Sequence, residues 1–117
     1  MSGARAHRVL QVFYRDYVNQ VNISSTQPEP LQANRVVPLA DRLLVPGDNY
    51  LGVVDRNDVI LQCYVGDDPG EITLELVYPE ARGCLRLTLP RDQALGRLDA
   101  LPELFDESLL EGAQYID

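Results

Sequence analysis

From Tyr50 onward, apolar and polar positions alternate in four short runs, YLGVVD, VILQCYV, EITLELVY and CLRLTL, separated by DRND, GDDPG and PEARG. A period of two marks half-buried strands, and turn residues at such short intervals mark consecutive antiparallel hairpins. The pattern predicts a four-stranded meander over 50–89. In the third run Ile72, Leu74, Leu76 and Tyr78 share one face, with Thr73, Glu75 and Val77 opposite; in the fourth, Leu85, Leu87 and Leu89 oppose Cys84, Arg86 and Thr88. A one-residue slip turns every leucine outward, so the register is well specified. It sets Leu76 against Leu85 or Leu87 and leaves Glu75 and Arg86 as ion-pairing neighbours on the exposed face.

The flanks follow a different rhythm. Val9, Leu10, Phe13, Tyr14, Tyr17, Val18 and Val21 recur at spacings of three, four and seven, which predicts an amphipathic N-terminal helix over 6–21. The polar, proline-punctuated NISSTQPEPLQAN reads as loop, and RVVPLADRLLVPGDN as a short strand followed by a helical turn at 39–44, so 22–49 is expected to be mostly irregular. After the meander, Pro90 suits a first helical turn, and Ala94, Leu95 and Leu98 make an apolar stripe. Pro102 restarts it with Leu104, Phe105, Leu109 and Leu110, giving a helical segment over 90–113. The expected fold is a single α+β domain spanning 1–117: N-terminal helix, four-stranded antiparallel meander, and C-terminal helices packed on one face of the sheet.

Composition supports a packed core. The chain has 117 residues, of which 36 are Leu, Ile, Val or Phe. That share is well above the roughly 20% below which a charged chain stays disordered, and the length suits one domain burying about two-thirds of its unfolded surface. The net charge is −8 and every cation is arginine. The negative excess concentrates at the end: 99–117 holds Asp99, Glu103, Asp106, Glu107, Glu111 and Asp117 and no basic residue. Such a surface repels phosphate backbones, which argues against direct nucleic-acid or anionic-membrane binding and suits a basic protein partner; solubility alone also accounts for it. No run approaches the eighteen apolar residues of a membrane span, and the N-terminal stretch is too polar for a secretory signal. The expected compartment is the cytoplasm, with Cys63 and Cys84 as reduced thiols.

Candidate chemistry is sparse. His7 is the one histidine, so a Ser-His-Asp or Cys-His arrangement would have to be built on it. Two cysteines without a CxxC spacing do not make a structural zinc site, and DRND and GDD lack the alternating spacing of a calcium loop. Two strands apart, Cys63 and Cys84 lie beyond disulfide reach; Cys63 shares the core parity of Val59, Leu61 and Val65. The turn carboxylates Asp55, Asp58, Asp67 and Asp68 are expected to bend the backbone in water. No glycine-rich phosphate loop or nucleotide fingerprint is present. No catalytic residue, metal or cofactor is expected.

The run NYLGVVDRNDVILQCYVGDD, then ITLELVYPEARGCLRLTL and a leucine-rich acidic segment, resembles a group of small bacterial immunity proteins that neutralise polymorphic or type VI secretion toxins. The resemblance covers about 49–112 and rests on Tyr50, Leu51, Gly52, Asp55, Leu61, Gln62, Tyr64, Pro79, Glu80 and Gly83. It implies a cytoplasmic antitoxin-like inhibitor that blocks a toxin's active site, and it carries over no catalytic residue. The expected function is therefore a non-enzymatic binding protein for a basic toxin or effector. Its contact surface would combine Asp67 and Asp68 with Asp99, Glu103, Asp106, Glu107 and Glu111. Tyr50, Tyr64 and Phe105 are candidate anchors, although each suits the core better. Three alternatives remain: an acidic nucleic-acid mimic, a structural subunit forming a homodimer through an edge strand, and a small enzyme or ligand-binding domain. The last would use a pocket between the N-terminal helix and the sheet, lined by tyrosines and Gln62.

Overall fold

The computed structural model describes residues 8–99 and 101–117. The expected class, α+β with an antiparallel sheet, holds, but the sheet is larger and the helices shorter than the sequence pattern predicts. Eight strands form one antiparallel sheet: β1 (Val9–Asp16), β2 (Val21–Ile23), β3 (Glu29–Gln32), β4 (Tyr50–Val54), β5 (Ile60–Val65), β6 (Glu71–Val77), β7 (Cys84–Pro90) and β8 (Gln114–Ile116). The spatial order is β2-β1-β4-β5-β6-β7-β8, and β3 joins β2 along the same edge of β1. Two eight-residue helices, α1 (Val36–Leu43) and α2 (Arg91–Leu98), share one apolar cluster with the sheet.

The meander has its expected register. Leu76 faces Leu85, Leu74 faces Leu87, and Glu75 faces Arg86 at 2.7 Å between Arg86 Nε and Glu75 Oε2. Two parallel rows, Val12–Val53–Leu61–Leu76–Leu85 and Tyr14–Leu51–Cys63–Leu74–Leu87, run across the sheet beneath the helices. From α1, Val36, Leu39, Ala40 and Leu43 pack onto them at helical spacing, and α2 adds Ala94 and Leu98.

The N-terminal helix is replaced by β1 and the β1–β2 turn; residues 6 and 7, including His7, lie outside the described residues. Leu10, Val12 and Tyr14 do alternate inward. Phe13 breaks the alternation because it is buried on the opposite face, over Gly52, its partner on β4. A Cβ on Gly52 would sit 2.1 Å from the Phe13 ring, so the ring occupies the space a side chain would take. With both faces buried at this point, Leu10, Phe13, Tyr14 and Tyr17 imitate a helical stripe, while their aromatic and β-branched neighbours favour the extended chain.

Residues 22–49 are more ordered than expected. They contain the end of β2, then β3, a 3-10 turn (Ala33–Arg35) and α1, which begins three residues before the predicted helical turn at 39–44. Pro38 is compatible because it falls in the first turn of α1, where no intrahelical N–H bond is lost. Pro28 and Pro30 interrupt the β2–β3 edge, a position that tolerates proline and discourages strand addition.

The C-terminal helix also ends early, at Leu98. The chain continues irregularly to a 3-10 turn (Glu107–Leu110) and closes as β8 against β7. Leu101, Phe105 and Leu110 are buried, so their spacing reflects three separate insertions into the core.

A buried polar knot holds the open end of β1. Asp16 Oδ1 accepts from the backbone N–H groups of Val18 and Asn19, and from Asn49 Nδ2; Asn49 in turn accepts from the N–H of Tyr17 and donates to the carbonyl of Leu43. Hydrogen bonds from Asn19, with those from Asn49 and Val18, hold the Asp16 carboxyl below its ordinary value despite opposing burial. A depressed folded pKa contributes stability that is present above the unfolded value, about 3.9, and is lost as pH falls through the folded pKa. Chemical denaturation of the wild type and of Asp16→Asn is expected to show a gap at pH 6 that narrows below pH 4.

Candidate functional site

The acidic residues that the sequence groups together lie at two ends of the sheet. Asp67 and Asp68 are exposed in the β5–β6 turn, where Asp68 Oδ1 accepts from the N–H of Gly70. The tail acids belong to the segment after α2, which is tied to the other end through Asp55 and Arg56 in the β4–β5 turn. The length of β6 separates these ends by roughly 20 Å. The structure thus brings Glu103, Asp106 and Glu107 together around the 3-10 turn, with Asp99 and Glu111 on either side in the chain, all exposed, and leaves Asp67 and Asp68 apart.

Asp55 is the structural centre of the acidic end. Expected in water, its residue is only 6% exposed. Oδ1 accepts from the N–H groups of Asn57 (2.8 Å) and Val59 (2.9 Å), closing the β4–β5 turn. Oδ2 accepts from the N–H of Phe105 at 2.7 Å, fifty residues away. Phe105 is buried, so this candidate anchor is core. Arg8 Nη1 donates to the carbonyl of Leu101, Arg97 Nη1 donates to that of Leu109 at 2.8 Å, and Arg56 meets Glu103 at 2.6 Å. These contacts fix an irregular segment that has no backbone ladder of its own.

On that segment Leu104 stands 49% exposed, preceded by Glu103 and followed, after buried Phe105, by Asp106 and Glu107. Asp106 caps the 3-10 turn by accepting from the Ser108 N–H and hydroxyl, and these bonds hold its carboxyl below the ordinary range. Burial raises the nearby Tyr78 phenol, and the charges of Glu107, Asp106 and Asp55 raise it further.

A second polar group lies on the sheet face away from the helices. Glu75, 7% exposed, accepts from Gln62 Nε2 at 3.2 Å, Tyr64 Oη at 2.8 Å and Arg86 Nε at 2.7 Å. Thr73 beside it is also buried and shares a hydroxyl hydrogen bond with Thr88. The β6 positions expected to face solvent are therefore covered by long side chains from β5 and β7. Burial, with the hydrogen bond and charge of Glu75, pushes the Tyr64 phenol up to about 12. Tyr50, Gln62 and Tyr64 line a shallow depression of about 330 Å³ beside Gly47–Asn49. The pocket expected beneath an N-terminal helix does not form, because that helix is β1.

Both cysteines are free. Cys63 is in the core, where burial pushes its thiol up to about 12. Cys84 is half-buried; burial and the charge of Glu75 raise it against the smaller opposing effect of Arg86. Thiolate chemistry is disfavoured at both. Among the described residues, no group of three or more His, Cys, Asp or Glu side chains could hold a metal ion, and no helix is long and apolar enough to cross a membrane.

No family model, curated protein or solved structure matches the chain.

Sequence reasoning missed the Asp55–Phe105 tie and the exposure of Leu104. Neither has a local signal. The tie joins positions fifty residues apart, and Leu104 belongs to an apolar spacing that reads as a helix.

Proposed function

We propose that this chain is a non-enzymatic binding protein that captures a basic partner protein, in the manner of the bacterial immunity proteins its meander resembles. The observation that carries this reading is Leu104: a half-exposed leucine flanked by Glu103, Asp106 and Glu107 on a segment locked to the sheet. An apolar anchor inside a charged rim is the arrangement in which a few residues supply affinity while the charges set association rate and partner choice. Fixing the segment beforehand lowers the entropy cost of binding. The contact patch is centred on the tail acids and excludes Asp67 and Asp68, which lie in the β5–β6 turn at the other end of the sheet.

The test uses the purified chain as bait for the product of the adjacent gene in its own genome, with binding measured at low and high salt. Leu104→Ala is expected to weaken the complex about tenfold, or ~1.4 kcal/mol. Neutralising Glu103, Asp106 and Glu107 together should slow association at low salt and flatten the salt dependence. Neutralising Asp67 and Asp68 should change neither. The reading fails if no basic protein is retained at low salt, or if the tail variants bind like the wild type.

A further inference from the structure

We propose that the groove between α1 and the β1–β2–β3 corner of the sheet binds a small apolar monocarboxylate, with Arg35 and Arg42 receiving its charge. The groove has a volume of about 420 Å³, within the range of small-molecule sites. Tyr14, Ile23, Leu31 and Leu39 give it an apolar floor, while Arg35 and Arg42 stand on its helical side.

The arginines carry the argument. Arg56, Arg86 and Arg91 form ion pairs with Glu103, Glu75 and Asp41. Arg8 and Arg97 donate to backbone carbonyls, and Arg15 lies over the ring of Tyr17 at 4.6 Å. Of the described arginines that remain, Arg35, Arg42 and Arg82, two line this one groove. Among the described residues, neither Arg35 nor Arg42 has an ion-pair or side-chain hydrogen-bond partner, although the chain carries 18 acidic residues. Asp41, adjacent to Arg42, is turned to Arg91. Arg35 ends the 3-10 turn that leads into α1 and Arg42 lies in the last turn of α1, seven positions on and about 10 Å further along the axis, and both line the groove with Leu39.

Two guanidinium groups that form no ion pair, beside an apolar floor, complement a ligand with an apolar body and an anionic end, because the planar fork of arginine matches a carboxylate. Glu29, also in the lining, sets a limit on charge. It repels a second negative group, so a monocarboxylate is favoured over a dicarboxylate. This site is on the opposite sign of the molecule's charge from the acidic tail, and it stands whether or not the tail binds a protein.

Titration of the isotope-labelled chain with sodium octanoate, followed by amide NMR shifts, tests the proposal. The expected result is saturable binding with shifts confined to α1 and β1–β3, at least about tenfold tighter than for octanol. Arg35→Gln and Arg42→Gln should each weaken octanoate several-fold and leave octanol unchanged. Arg82→Gln, an exposed arginine outside the groove, should have no effect. Octanedioate, the doubly charged counterpart, should bind more weakly than octanoate, and Glu29→Gln should reduce that difference. Octanoate and octanol binding equally, or octanoate shifts scattered over the surface, would overturn the assignment.

Discussion

Replacing Gly52 by alanine is expected to destabilise the fold by about 2 kcal/mol, although alanine is ordinarily the better strand residue. The new Cβ would lie 2.1 Å from two atoms of the Phe13 ring and 2.5 Å from a third. Phe13 is 4% exposed and packs edge-on against Tyr50, with ring centroids 6.4 Å apart. The ring must therefore swing toward solvent, forfeiting roughly 2–3 kcal/mol of burial, against which the gain from replacing a strand glycine is about 0.5–1 kcal/mol. A double-mutant cycle gives the sharper result. Phe13→Ala alone should cost about 3–5 kcal/mol. In that background Gly52→Ala should become neutral or stabilising, because the space it fills is then vacant. Equilibrium denaturation of the four proteins measures this, and additive effects would contradict the proposed packing.

The same pair explains where the sequence could be read and where it could not. The meander was legible because its leucines alternate without interruption on β6 and β7, so parity limited Leu76 to facing Leu85 or Leu87 and made Glu75 and Arg86 neighbours; the fold selects Leu85. In β1 parity fails at Phe13, whose burial depends on a glycine thirty-nine positions later, and the local pattern then matches a helix. The tail fails for a related reason. Leu101, Phe105 and Leu110 are each drawn into the core, and nothing local shows that Asp55 fixes the backbone between them.

The candidate surface was legible in part. Charge counting located the tail acids, but it also joined Asp67 and Asp68 to them. An antiparallel meander places successive turns at alternate ends of the sheet, so the β4–β5 turn that holds the tail and the β5–β6 turn are separated by a strand's length. The groove arginines gave no sequence signal at all. What distinguishes Arg35 and Arg42 is that, among the described residues, neither forms an ion pair and both line one groove, which only the folded chain reveals.

Asp55→Ala should produce a still larger loss, about 3–5 kcal/mol, a substantial part of the 5–15 kcal/mol that holds a domain of this kind together. Its carboxylate receives three backbone N–H groups, and those of Val59 and Phe105 lie at buried positions that water reaches poorly. Hydrogen bonds to a charged acceptor are worth about 1.5–3 kcal/mol each, and leaving a buried donor unmatched adds its desolvation cost. Asp55→Asn separates the two roles. With its carbonyl oxygen on Asn57 and Val59, the amide keeps the β4–β5 turn but presents an NH₂ group to the Phe105 N–H. Loss of about 1.5–3 kcal/mol is expected, concentrated in the tail. Hydrogen exchange should show the Phe105 amide released far more than that of Val59. The binding surface is expected to suffer with it, since freeing 101–110 removes the fixed presentation of Leu104 and restores the ordering cost on association. A variant that remains folded, exchanges rapidly at Phe105 and still binds the basic partner as tightly as the wild type would show that the tail acts without being held in place.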